Sequence, residues 1–64
     1  MTRPDPNTPI DDPSVKISRP FVRALRAAGV TTLGEAWAMS DEDILALHGT
    51  GPKGVRILRE LEAG

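Results

Sequence analysis

Apolar residues are sparse up to Val15, and only afterwards do they recur at helical spacing. Within residues 1–15 the clearly apolar positions are Met1, Ile10 and Val15, and Pro4, Pro6, Pro9 and Pro13 stand among Asp, Thr and Asn. Proline lacks a backbone N–H and biases its predecessor away from helix. The pattern predicts a disordered acidic arm over residues 1–15, either an inert tail or a segment that docks on or masks the rest of the chain. From Ser18 the pattern changes. Phe21, Val22, Leu25 and Ala28 form an apolar stripe with a helical period. Ser18 is placed to cap the first N–H groups, Pro20 is tolerated in a first turn, and Gly29 suits a left-handed stop. A first helix is expected from near Ser18 to near Gly29.

Thr32-Leu33-Gly34-Glu35 has capping-box spacing, a hydroxyl followed three residues later by a carboxylate. It opens a short second helix running to about Met39, with Leu33, Ala36 and Trp37 facing inward. Ser40 caps a third helix whose first turn, Asp41-Glu42-Asp43, complements the helix dipole. Ile44, Leu45 and Leu47 are its expected core residues, and Gly49 ends it. The last helix runs from about Pro52 to Glu62 with Val55, Leu58 and Leu61 inside. Phe21 and Trp37 are the only aromatics, and a core this small needs both, which leaves no platform for base stacking. At an offset of 20, Leu25, Gly29 and Gly34 match Leu45, Gly49 and Gly54, which is either a chance agreement or the trace of a degenerate first hairpin in a repeat of two helical pairs. The expected fold is all-α, a compact bundle of four to five short helices spanning residues 16–64.

Composition narrows the function classes. The chain has 64 residues, enough for one small domain. With no cysteine and one histidine, neither a disulfide framework nor a structural zinc is expected, and no cofactor is implied. No apolar run approaches the roughly 18–20 residues of a membrane span, and no basic-then-apolar signal opens the chain. A soluble, cytoplasmic monomer is the expectation. His48 is alone and no nucleophile has an evident base partner, so no enzyme is expected.

The net charge of −1 argues against a general polyanion binder, but the charges are unevenly placed. Residues 16–30 carry Lys16, Arg19, Arg23 and Arg26 and no acid, whereas residues 31–50 carry Glu35, Asp41, Glu42 and Asp43 and no Lys or Arg. The basic stripe is either an ordinary solvated face or a phosphate-facing one. The three consecutive acids are accounted for by the helix dipole, and other ligands for a metal are lacking.

The segment Gly49-Thr50-Gly51-Pro52-Lys53-Gly54 carries the strongest chemistry. Two glycines one residue apart allow a sharp turn and close approach of another backbone. Pro52 needs no N–H partner at a first helical position. The N–H groups of Gly51, Lys53 and Gly54 are then expected to stand bare at a helix start, where a phosphate gains both their hydrogen bonds and the dipole. Lys53 adds a formal charge, and Arg56 lies on the outer side. Glu60 and Glu62 are spaced to pair with Arg56 and Arg59.

Leu47–Leu58 is similar to the helix-hairpin-helix consensus, with Gly49-Thr50-Gly51 as its Gly-hydrophobic-Gly hairpin. Over about Ile17 to Leu61 the chain resembles the C-terminal domain of the bacterial RNA polymerase alpha subunit, through Ile17–Leu25, Val30–Ala36, and Ser40–Leu47 followed by Gly51-Pro52-Lys53. The resemblance implies a SAM-like helical fold that binds promoter DNA along the minor groove, contacts transcription activators, and holds backbone at Gly51 and Lys53. The family's groove-inserting arginine falls on Pro20 here, a contacting asparagine on Arg23, a serine on Gly54, and Thr50 is more polar than the usual hairpin residue. The expected interface is Arg19, Arg23, Gly49, Thr50, Gly51, Lys53, Gly54 and Arg56, gripping duplex DNA weakly and largely without regard to sequence. Two alternatives remain: a protein–protein interaction module that kept the fold and lost the nucleic acid, and an accessory domain of a transcription or repair assembly.

Overall fold

The computed structural model describes residues 3–64. Four helices follow in order: α1 (Arg19–Ala27), α2 (Leu33–Ala38), α3 (Asp41–Leu45) and α4 (Pro52–Ala63). The fold is all-α. Helix α4 packs against α2 and α3. No helix is long and apolar enough to cross a membrane among the described residues.

Local signals set the helix starts. Ser18 and Ser40 accept from the N–H groups of Phe21 and Asp43. Thr32 and Glu35 form a complete capping box, in which the Glu35 carboxylate also accepts from the Thr31 N–H at 3.0 Å. Gly29, just past α1, and Gly49, in the turn between α3 and α4, take φ +86° and +97°, a region where a Cβ is strained. Helix α3 is shorter than expected. It ends at Leu45 rather than running to Gly49, because the chain tightens: the Leu47 N–H donates to the Ile44 carbonyl at 3.0 Å. Leu45, the last residue of α3, is 45% exposed instead of in the core. Ala28, expected on the apolar stripe of α1, is likewise exposed, as the C-cap beyond its end.

The core is built from Phe21, Leu25, Val30, Leu33, Ala36, Trp37, Ile44, Val55 and Leu58, joined by Ile10 and Val15. The Trp37 indole N–H donates to the Leu58 carbonyl at 3.1 Å, so its one polar group is satisfied on burial. Arg59 ties α2 to α4. It donates to the Trp37 and Met39 carbonyls at the end of α2 and pairs with Asp41 at 2.7 Å and Glu62 at 3.0 Å. The Arg59–Glu62 spacing pairs as expected, while Arg56 and Glu60 form no ion pair among the described residues.

The arm differs most from expectation. Residues 3–15 are not a disordered extension, and residue 16 does not begin the domain; Met1 and Thr2 lie outside the described residues. Ile10 is 1% exposed and Val15 7%. Around them the chain turns repeatedly. The Asp5 carboxylate accepts from the Asn7 N–H at 2.8 Å, and Asp12 accepts from the N–H and hydroxyl of Ser14 at 2.9 and 2.7 Å. The arm then pairs with the start of α2. The Ile10 N–H donates to the Thr31 carbonyl, Leu33 N–H to Thr8, and Gly34 N–H to Pro6, at 3.0, 2.9 and 2.8 Å. Arg3 lies over the Trp37 ring, 5.5 Å from its centroid. Prolines exclude helix from this segment, but they also leave its unfolded state less entropy to lose. Two buried apolar anchors and three backbone bonds are enough to fix it.

Candidate nucleic-acid interface

Helix α4 starts differently from the others. Its N-cap is Gly51, which supplies no side-chain bond, and Pro52 follows. The Gly51 carbonyl accepts the Val55 N–H at 3.3 Å, but the N–H groups of Gly51, Lys53 and Gly54 have no hydrogen-bond partner among the described residues. They sit where the dipole of a twelve-residue helix is most positive.

The two hairpin glycines have different reasons. Gly49 carries the positive φ, and a Cβ there would lie 3.4 Å from the Pro20 carbonyl oxygen. Gly51 is extended at φ −147°, and a Cβ there meets nothing within 4 Å. The turn therefore depends on Gly49 and not on Gly51, contrary to the expectation that both shape it. What glycine at 51 does is leave the first turn of α4 uncapped and open. Gly54 has a third reason. A Cβ on it would come within 2.3 Å of the Phe21 ring, so its small size lets α4 close over the core while its N–H stays free.

Thr50 is turned inward. Its hydroxyl lies 2.6 Å from the Ile44 carbonyl and 2.9 Å from that of Leu47, and its single proton serves the exposed end of α3. This is why a polar residue stands at the hairpin's middle position. The hydroxyl braces the turn and is not a donor aimed at solvent.

A groove runs beside the hairpin. Its floor is Ile17, Phe21 and Ile57, and its edges include Gly49, Gly51, Lys53, Gly54, Ser18 and Lys16. Lys16 was counted with the basic stripe of α1, but it precedes that helix and lies on the hairpin side. It is absent from the interface read from the motif. Its only sequence signal is its charge, because residues 16 and 53 come to one groove only in the folded chain. Two cations and three free N–H donors thus border one groove with no acid among its lining residues.

Arg19 and Arg23 lie elsewhere. They line a second groove, between α1 and the arm, that also contains Asp11 and Asp12. Arg26 continues that face and pairs with Asp11 at 2.9 Å. Arg56 is exposed and does not line the hairpin groove. Of the residues expected at the interface, Gly49, Gly51, Lys53 and Gly54 are brought together, Thr50 braces them from behind, and Arg19, Arg23 and Arg56 line none of that groove. Compared with known proteins, the chain matches no family model, no curated protein and no solved structure.

Proposed function

We propose that this domain binds duplex DNA without catalysis, gripping the phosphate backbone at the start of α4. The observation that carries the reading is the set of unpaired N–H groups at Gly51, Lys53 and Gly54 in one groove with Lys16 and Lys53. Backbone N–H groups at a helix start hold a phosphate oxygen without reading bases, and the two lysines add formal charge. Gly51, where a Cβ would meet nothing within 4 Å, keeps a side chain out of the path of an approaching backbone. The order α3, glycine hairpin, α4 is what a helix-hairpin-helix of the SAM-like kind contains, and the resemblance to the polymerase alpha C-terminal domain makes transcription the expected setting. Proline at position 20 gives no groove-inserting arginine, which favours weak binding with little sequence preference.

An NMR titration with a short duplex at about 50 mM salt tests this. The expected amide shifts fall on residues 49–54 and near Lys16, and binding weakens steeply as salt rises because counterions are released. Lys53→Glu lowers affinity on every sequence tried. Shifts that miss 49–54, or no binding at that salt, would rule the reading out. The exposed Leu45, beside the acidic first turn of α3, favours a second reading, an interaction surface for a basic protein partner. That reading takes precedence only when the DNA titration fails.

A further inference from the structure

The arm is a fixed wall beside α1, and two of its carboxylates, Asp11 and Asp12, border a groove with that helix's cations. Ile10, which is 1% exposed, anchors it from within, and its pairing to residues 31–34 holds it from outside. Immediately after that anchor come Asp11 and Asp12. Asp11 accepts from Arg26 at 2.9 Å, and both aspartates line the groove that contains Arg19 and Arg23. All three arginines of α1 thus lie on the arm side, while Lys16 lies on the hairpin side with Lys53.

We propose that Asp11 and Asp12 bound the polyanion footprint: they withhold the α1 arginines from phosphate and confine binding to the Lys16–Lys53 groove. The mask rests on the DNA-binding reading above. It works by charge and not by cover, since Arg19, Arg23 and Arg26 remain exposed to solvent. A phosphate approaching Arg26 must displace a carboxylate already in contact with it. One approaching Arg19 or Arg23 enters a groove that holds two negative charges. The same positions without those carboxylates offer cations at four- and three-residue steps on one helix face, a continuous track for a backbone. The aspartates are therefore specificity-determining residues for where, and how tightly, a polyanion lies.

The test compares the full chain with Asp11→Asn and with Asp11→Asn/Asp12→Asn. Asp12 also organises a turn with Ser14, so the single variant, at an exposed residue, keeps the experiment interpretable when the double variant is less stable. Duplex affinity is measured over a range of salt. The single variant should bind about threefold tighter at low salt. The double variant should bind tighter still, with a log–log salt slope steeper by roughly one for each arginine engaged. Lys53→Glu in the wild-type background reports on the hairpin separately. If Lys53→Glu weakens binding and both arm variants match wild type in affinity and slope, the mask is wrong and the hairpin reading stands. A second readout needs no duplex. Inorganic triphosphate is titrated while the Nε–H resonances of Arg19, Arg23 and Arg26 are followed. Shifts confined to the arm variants support the mask even where duplex binding fails. Equal shifts in wild type, or none in any variant, overturn it.

Discussion

Gly29 and Gly49 turn the chain in the same left-handed way, and each is followed within three residues by the N-cap of a new helix. The first turns of those helices then differ. At α2 every N–H from Thr31 to Ala36 is engaged: the Glu35 carboxylate takes Thr31 and Thr32, arm carbonyls take Leu33 and Gly34, the Thr32 hydroxyl takes Glu35, and the Thr32 carbonyl takes Ala36. At α4 three N–H groups have no partner among the described residues, and the first turn carries a lysine and no acid, whereas the first turn of α2 carries Glu35. The same local geometry has been closed with the protein's own oxygen atoms in one case and left open in the other. A helix start needs acceptors from somewhere. The closed hairpin finds them within the chain, so it contributes to stability, whereas the open one has them still to find and is suited to binding.

The largest way to break this comparison is to remove what holds the closed hairpin shut. Ile10→Ala deletes a fully buried side chain and should cost about 2–5 kcal/mol in urea unfolding. Amide exchange at Leu33 and Gly34 should accelerate relative to that at α4. If stability is unchanged, the arm is not part of the fold. A smaller and more local break is Gly34→Ala. A Cβ at that position would lie 2.9 Å from the Pro6 Cβ and 3.0 Å from its carbonyl oxygen, so the arm must move back and the Gly34–Pro6 hydrogen bond lengthens. A loss of roughly 1–3 kcal/mol is expected. The check is whether Leu33 and Gly34 amides lose protection before Gly54 does.

Much of the closed hairpin was legible in the sequence and much of its closure was not. Ser18, Thr32 and Ser40 were readable as caps because capping is decided within three residues. The arm was not readable, because its order comes from contacts such as Ile10 with Thr31 and Pro6 with Gly34, more than twenty residues apart. Its four prolines argued for disorder, and two buried side chains outweighed them. Leu45 was misplaced because it stands one step, about 100°, round the helix from Ile44, and α3 buries only Ile44. At the open hairpin, Gly49 and Lys53 followed from the motif. Lys16 and the inward turn of the Thr50 hydroxyl followed from tertiary geometry alone.

Acid sharpens the contrast further. The N–H of Thr31, before the other partners at Thr31 and Thr32, holds the Glu35 carboxyl below the usual glutamate range. A carboxylate with a depressed folded pKa stabilises fully above its unfolded value, and that contribution is lost as pH falls through the folded pKa. Stability should therefore decline below about pH 4.5. Glu35→Gln should flatten the decline in a pH series of thermal melts and lower the neutral-pH midpoint. An unchanged acid limb would show that the capping box does not carry the pH dependence.

Gly51→Asp produces the smallest change in stability and separates the two hairpins most cleanly. The position is extended and has no neighbour within 4 Å of a Cβ, so aspartate fits without strain. It would cap α4 as Ser18, Thr32 and Ser40 cap the other helices, a gain of a few tenths of a kcal/mol, roughly 0.3, over glycine. The same carboxylate would occupy the free N–H groups and repel a phosphate, so duplex affinity at low salt should fall roughly tenfold. Higher stability with weaker binding is an unusual pair of outcomes for one substitution, and each half excludes a different error. A marked loss of stability would mean that Gly51 is needed for the turn after all. Higher stability with unchanged binding would mean that the open N–H groups are not where the polyanion sits, and the two hairpins would then differ in capping alone.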